Sequence, residues 1–70
     1  MKIFTNPAAI FEAIVAQGLS MIEAAEKADI HAKSFSTLAN HRKAVTAKTA
    51  AKLRRAFGNS AVIFSISERG

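Results

Sequence analysis

Residues 20–38 read SMIEAAEKADIHAKSFSTL and contain the strongest local signals in this 70-residue chain. Ser20 and Glu23 have the spacing of a capping box, in which each side chain bonds a backbone N–H that the first helical turn leaves unpaired. Asp29 interrupts the alanine-rich pattern that follows, because aspartate is a poor residue inside a helix and tolerates the left-handed conformation. The pattern predicts a helix over about residues 20–28, followed by a turn.

A second short helix is predicted over about residues 32–40. Phe35 and Leu38 lie three residues apart in the sequence, so they share the side that faces the core. The residues around them are small or polar and are expected to face outward. Two short helices joined by a tight turn are typical of a helix-turn-helix, whose second helix contacts the partner.

An earlier helix is predicted over about residues 7–17. Asn6 can cap its start, and Pro7 at the first helical position costs nothing because that N–H would be unpaired in any case. Gly18 is placed to end the helix in the left-handed conformation. The apolar side chains form one stripe, which we expect to lie mainly in the core: Ile10, Phe11, Ile14 and Val15.

The last helix is predicted over about residues 46–57, with Thr46 as its N-cap. Short runs rich in β-forming residues lie at the two ends of the chain, over about residues 2–5 and 61–67. The predicted fold is therefore mainly α, a bundle of four helices with short terminal strands.

The second predicted strand needs a partner. Val62, Phe64 and Ile66 would share one of its faces, and an unpaired apolar edge is adhesive. We expect it to pair either with residues 2–5 or with the same strand of a second subunit.

The charge distribution indicates the class of partner. The chain is short enough to form one domain, residues 1–70. It carries 10 lysines and arginines against 5 acidic residues. No acidic residue lies between Ile30 and Ser67, although seven basic residues do. Such a one-sign surface repels itself, and a polyanionic partner would offset the repulsion. Double-stranded DNA is the partner that this distribution predicts.

Other function classes are disfavoured by the composition. The chain has no cysteine, which excludes disulfides and thiolate metal sites, and His31 and His41 have no acidic neighbours with metal-ligand spacing. No paired carboxylates, glycine-rich phosphate loop or nucleophile with a nearby base indicate an enzyme. No apolar run is long enough to span a bilayer, and no export signal is present. We therefore expect a cytoplasmic, nucleoid-associated protein with no cofactor, no metal and no membrane partner.

One further alternative is a peptide that binds a membrane surface. The helix over residues 46–57 is basic enough to suggest it, but this helix lacks tryptophan and a broad apolar face. Binding to liposomes without binding to DNA would favour this alternative.

The helix-turn-helix segment resembles the Cro/CI (XRE) class. The alanine, the glycine, the aliphatic residue and the two apolar positions of the family pattern fall here on Ala25, Asp29, Ile30, Phe35 and Leu38. Two positions depart from the pattern: Asp29 replaces the usual glycine, and Met21 replaces a glutamine that in many members contacts a phosphate. The phosphate contact of that glutamine is therefore not expected here.

The resemblance continues beyond the helix-turn-helix. Residues 42–53, followed by Phe57-Gly58, are similar to the loop and fourth helix of HigA-type antitoxins, so that the likeness covers about residues 8–58. The strand predicted near the C-terminus departs from these antitoxins, while terminal strands are common in Cro-type proteins.

The resemblance implies a lambda-repressor-like or Cro-like fold and a sequence-specific double-stranded DNA-binding regulator, a repressor that binds its operator as a homodimer. By position in the family motif, the residues facing base edges would be Ala32, Lys33, Ser34 and Thr37. The residues facing phosphates would be Asn40, His41, Arg42, Lys43 and Lys48. His41 stands at the glycine of the family's Asn-Gly turn, where we expect a positive φ. The alternative is a HigA-type antitoxin that binds both DNA and a partner toxin.

Overall fold

The computed structural model describes residues 2–65, most of which lie in four helices. The helices are Pro7–Gln17 (α1), Met21–Ala28 (α2), Ala32–Asn40 (α3) and Ala47–Phe57 (α4). The other elements are the strands Lys2–Thr5 (β1) and Val62–Ser65 (β2) and a 3-10 turn at Asn59–Ala61. The mainly helical architecture with short terminal strands is confirmed, and each helix boundary lies within one residue of the predicted one.

α1 begins and ends where the sequence predicts, but its start is held differently. Gly18 ends the helix with φ 68°. Asn6 makes no side-chain cap; its Nδ2 donates to the carbonyl oxygen of Ser60 at 3.0 Å, and its backbone N–H donates to that of Ala61 at 2.9 Å. The side-chain cap predicted for Asn6 is therefore wrong, because this side chain ties the start of α1 to the 3-10 turn instead.

Both ends of α2 form as the sequence predicts. The Ser20 N–H donates to Glu23 Oε1 at 2.8 Å, and the Glu23 N–H donates to Ser20 Oγ at 3.1 Å, which is a complete capping box. Asp29 ends α2 with φ 58° and ψ 44°. Among residues 2–65 it is the only non-glycine residue with a positive φ. Aspartate thus takes the left-handed conformation that a glycine would take more easily.

α3 packs against α1 and α2. Phe35 on α3, Ile10 on α1 and Leu53 on α4 are fully buried. The rings of Phe35 and Phe57 have centroids 5.7 Å apart with an interplanar angle of 35°, which joins α3 to the end of α4. The core is completed mostly by alanines, whose small side chains let the helices approach closely.

The predicted apolar stripe of α1 is only half buried. Ile10 and Ile14 lie in the core, but Phe11 and Val15 are 61% and 62% exposed. Neighbouring residues are turned by about 100° around a helix. α3, α4 and the 3-10 turn cover one side of α1, and Phe11 and Val15 fall outside that side. The expectation that α1 lies mainly in the core is corrected for these two residues.

β1 and β2 form an antiparallel pair in which Thr5 faces Val62 and Lys2 faces Ser65. The C-terminal strand therefore pairs within the chain over residues 62–65. Thr5 and Val62 are both buried, so this end of the sheet closes one side of the core.

Two details of the predicted second strand are corrected. Ala61 belongs to the 3-10 turn, so the strand begins at Val62. Phe64 is 46% exposed rather than buried, and the Arg54 guanidinium lies 5.5 Å from its ring centroid. Ile66 and Ser67, which were predicted to continue the strand, lie outside the described residues.

Between residues 2 and 65 no single helix is long and apolar enough to cross a membrane. α1 and α2 together satisfy the criteria of length and composition, but their axes are bent by 105° at the break between them.

Candidate nucleic-acid interface

α3 turns its polar side to solvent. Phe35 and Ala39 are buried on the inner side, and Leu38 is half-buried. The side chains predicted to face base edges are all exposed, namely Ala32, Lys33, Ser34 and Thr37. One helix thus presents a methyl group, an ammonium group and two hydroxyl groups to a partner.

The start of α3 is capped by a residue that the sequence analysis does not identify. His31 occupies the N-cap position, and its Nδ1 accepts a hydrogen bond from the Lys33 N–H at 3.2 Å. Histidine is not among the preferred N-cap residues, so composition gives no signal for this role. The cap contributes to fixing the first turn of α3, from which Ala32 and Lys33 project.

The end of α3 is held by Asn40, which was predicted to contact a phosphate. Its Nδ2 donates to the backbone oxygen of Ser36 at 2.8 Å and approaches Ser36 Oγ at 3.3 Å. The side chain is exposed and bent back along the helix. A phosphate only accepts hydrogen bonds. Asn40 can therefore bind a phosphate only through the side-chain N–H that does not donate to the Ser36 carbonyl oxygen.

His41 leaves the helix in an extended conformation, with φ −135° and ψ 147°. The positive φ predicted for it is wrong. The physical reason is a distant contact: the His41 carbonyl oxygen accepts a hydrogen bond from Thr5 Oγ1 at 3.0 Å, across 36 residues of sequence. The chain is thereby led from α3 directly towards β1, and no left-handed turn forms.

The segment that follows, residues 41–46, is called here the basic loop. It lies against the edge of β1 that β2 leaves free, and Phe4 and Ala44 face each other there in an isolated antiparallel bridge. The Thr5 N–H donates to the Lys43 carbonyl oxygen at 2.8 Å, and the Val45 N–H donates to the Ile3 carbonyl oxygen at 2.8 Å. β1 therefore has hydrogen-bonded neighbours on both edges, and the basic loop is one of them.

Arg42 and Lys43 are exposed residues of the basic loop. The Arg42 guanidinium carbon lies 4.8 Å from the centroid of the Phe4 ring, within the range of a cation–π contact. Sequence reasoning does not identify this partner, because 38 residues separate Phe4 from Arg42. The contact restrains the guanidinium near β1, and Arg42 remains exposed to solvent.

Lys48, the fifth residue predicted to face a phosphate, is exposed and belongs to α4. It stands in the first turn of α4 and borders a groove of about 330 Å³ between α2 and α4, together with Lys27 and Arg55. Arg42 and Lys43 thus belong to the basic loop, and Lys48 belongs to α4.

A larger open groove, of about 660 Å³, lies between α3 and the start of α4. Ser34 and Leu38 border it from α3, and Thr49 and Lys52 border it from α4. Of the four residues predicted to face bases, Ser34 alone borders this groove.

The charges on this side of the molecule are not balanced by acids. Among residues 2–65 the ion pair within 4.0 Å joins Lys52 to Asp29, so within this range Lys33, Arg42 and Lys43 have no carboxylate partner that close. The remaining acidic residues of the described range lie on α1 and α2, at Glu12, Glu23 and Glu26. The exposed cations of α3 and of the basic loop, which follows α3 directly in the chain, are suited to a polyanion.

The arrangement of these residues carries the functional argument. Comparisons of this chain with protein-family models, with curated proteins and with solved structures gave no match.

Proposed function

We propose that this protein is a sequence-specific double-stranded DNA-binding regulator with a Cro/CI-like helix-turn-helix, a repressor that acts as a homodimer. The observation that carries the proposal is the exposed polar side of α3 followed directly by the basic loop. Lys33, Arg42 and Lys43 are exposed there and have no carboxylate within 4.0 Å in the described range. A helix with donors and a methyl group suits the major groove, and the adjacent cations suit the phosphates that border it.

Each residue then has a definite role. Lys33 donates to the O6 and N7 acceptors of guanine, and Ala32 offers its methyl group to thymine. Ser34 supplies a hydroxyl group that can donate or accept. The Thr37 hydroxyl donates to the Lys33 carbonyl oxygen at 3.5 Å and can still accept a hydrogen bond from a base. Arg42 and Lys43 bind phosphates and position the protein without selecting a sequence. Lys48 contributes only if the DNA path also reaches the groove between α2 and α4.

Two considerations support the proposed homodimer, namely the way helix-turn-helix regulators bind DNA and the free edge of the sheet. Helix-turn-helix dimers place two recognition helices about 34 Å apart, one turn of DNA, so that both read half-sites on one face of the duplex. β2 pairs with β1 on one edge, and no segment of residues 2–65 pairs with the other edge. The exposed side chains of Ile63 and Phe64 lie on this strand. Pairing of β2 with its copy in a second subunit would cover that edge.

Selection of bound sequences from a pool of random duplexes, followed by gel shift, tests the proposal. Wild-type protein should enrich a two-fold symmetric site, and Lys33→Ala should change the preferred bases at one position in each half-site. Lys27→Ala is the matched control, because Lys27 Nζ is already hydrogen-bonded to Gln17 on α1. Enrichment of no sequence, or an identical site for Lys33→Ala, would refute base recognition by α3. Analytical ultracentrifugation of the free protein and of the complex tests the dimer.

A second candidate is an antitoxin that binds DNA and also covers a partner toxin. The specific observation in its favour is the outer side of α1, where Phe11 and Val15 are each more than 60% exposed beside Glu12. Phe11 and Val15 lie four residues apart and are therefore neighbours on the helix surface, and contiguous exposed apolar side chains are a feature of surfaces that bind other proteins. In this case Phe11→Ser should abolish neutralisation of a co-expressed toxin while leaving gel shifts unchanged. A simple repressor should show no requirement for Phe11 in either assay.

A further inference from the structure

Thr5 is the one buried polar residue in the described part of the chain, with 0% of its surface exposed. It ends β1 opposite Val62, directly before Asn6 and Pro7. A hydroxyl group taken out of water must be hydrogen-bonded, or it destabilises the fold. The bonds that satisfy Thr5 therefore show what this residue is required to hold.

All three hydrogen bonds of Thr5 to the basic loop involve two residues that flank Arg42. Its Oγ1 donates to the His41 carbonyl oxygen at 3.0 Å and accepts from the Lys43 N–H at 2.8 Å. Its own N–H donates to the Lys43 carbonyl oxygen at 2.8 Å. A threonine hydroxyl can donate one hydrogen bond and accept others, so one side chain binds both sides of the Arg42 peptide unit.

The side chains of the basic loop contribute little to fixing its path. Arg42, Lys43 and Ala44 are exposed and contribute little apolar burial of their own. Surface loops with few buried contacts are the first segments to open locally. The contacts made by β1, including Phe4 beneath the Arg42 guanidinium, therefore supply the order that the loop sequence lacks.

We propose that Thr5 is a positioning residue for the basic loop, one that fixes where Arg42 and Lys43 stand relative to α3. The consequence for DNA rests on the proposed function. A loop held in register with α3 lets both cations reach phosphates beside the groove that α3 enters, whereas an untied loop pays for its ordering when it binds. The hydrogen bonds between Thr5 and the basic loop, called here the clamp, are a property of the free protein.

Three variants test the proposal. Thr5→Val keeps the shape of the side chain and removes the hydroxyl, and Thr5→Ser keeps the hydroxyl. Val62→Ala is the matched control for lost stability, because Val62 is the buried residue that faces Thr5 across the sheet and belongs to the strand on the opposite side of β1 from the basic loop. All comparisons are made at a temperature where circular dichroism shows each variant fully folded.

The first measurement is amide hydrogen exchange without DNA. In the wild type the Lys43 N–H should be protected like the N–H groups of β1. In Thr5→Val it should exchange up to about tenfold faster than in Thr5→Ser, the factor that corresponds to one net hydrogen bond. Lys43 exchange that is unprotected in the wild type, or that is equal in the valine and serine variants, would overturn the clamp. The exchange rate of the Lys43 N–H in the wild type tests the clamp even if Thr5→Val does not fold.

The second measurement is the dependence of duplex affinity on salt. Loss of one or two phosphate contacts should make the log–log slope of Thr5→Val shallower by about 1 to 2, with Thr5→Ser and Val62→Ala retaining the wild-type slope. A slope in Thr5→Val equal to that of Val62→Ala would overturn the role of Thr5 in DNA contact. Absence of duplex binding by the wild type would instead refute the proposed function, and amide exchange would still decide the clamp.

Discussion

Lys52 on α4 places its ammonium nitrogen 3.0 Å from the backbone carbonyl oxygen of Asp29 and 3.6 Å from Asp29 Oδ2. The Asp29 side chain is 91% exposed, so its ion pair with Lys52 contributes little in water. The contact with the carbonyl oxygen is the more important one, because it ties α4 to the turn between α2 and α3. The orientation of α3 is thus supported by a residue 23 positions further along the chain.

The turn itself makes the first prediction. Asp29 has φ 58°, a conformation that costs an alanine roughly 1–2 kcal/mol and a glycine very little. Aspartate lies between them because its side chain tolerates this region. Asp29→Gly should leave the free energy of unfolding unchanged or raise it, whereas Asp29→Ala should lower it by about 1 kcal/mol.

Urea unfolding followed by circular dichroism measures both changes. The Lys52 contact with the backbone oxygen remains possible in both variants, so their difference isolates the backbone conformation. Equal stability of the glycine and alanine variants would show that the turn is not left-handed.

The basic loop makes the second prediction. Arg42→Ala should weaken binding to every duplex by a similar factor and make the log–log salt slope shallower by about 1, because a phosphate contact carries no sequence information. Arg55→Ala removes the same charge from α4, at the groove between α2 and α4, and should change the slope less. Titrations of one selected and one unrelated duplex at several salt concentrations measure both effects. A change in base preference with Arg42→Ala would contradict its assignment to phosphate.

The third prediction concerns two phenylalanines of the helical bundle, Phe35 on α3 and Phe11 on α1. Phe35 is fully buried, so Phe35→Ala should cost about 3–5 kcal/mol, close to the whole stability of a domain this small. Phe11 is 61% exposed, so Phe11→Ala should cost less than about 1 kcal/mol. Thermal unfolding of the two variants compares them directly. A large loss of stability with Phe11→Ala would show that this side of α1 is buried, for example in a dimer.

The C-terminal strand makes the fourth prediction. A chain ending at Ser60 loses Ala61 and Val62, which are both buried, and the strand that pairs with β1. Burial of Val62 alone is worth on the order of 1.5–3 kcal/mol, so this truncation should unfold most of the protein. A chain ending at Ser65 keeps every described contact and should retain the helical circular dichroism signal. A stable, folded chain ending at Ser60 would contradict the role assigned to β2.

The helix boundaries are largely determined by the sequence alone. The capping box of Ser20 and Glu23, Thr46 at the start of α4, and Gly18 after α1 are all found as predicted. These signals are local: each cap acts within one helical turn, so neighbouring residues suffice to specify it. The identity of the exposed side chains on α3 also follows from the sequence, because the position of Phe35 determines which side chains face away from the core.

The path of the basic loop was decided only by the tertiary structure. The hydrogen bond from Thr5 keeps His41 in an extended conformation, and the Phe4 ring contacts the Arg42 guanidinium. Each of these contacts joins parts of the chain more than 35 residues apart. The exposure of Phe11 and Val15 also depends on which neighbours cover α1, since an apolar pattern shows that a side chain can be buried but not what is available to bury it. Local signals therefore specify the helices, while long-range hydrogen bonds and packing specify how the loop stands beside α3.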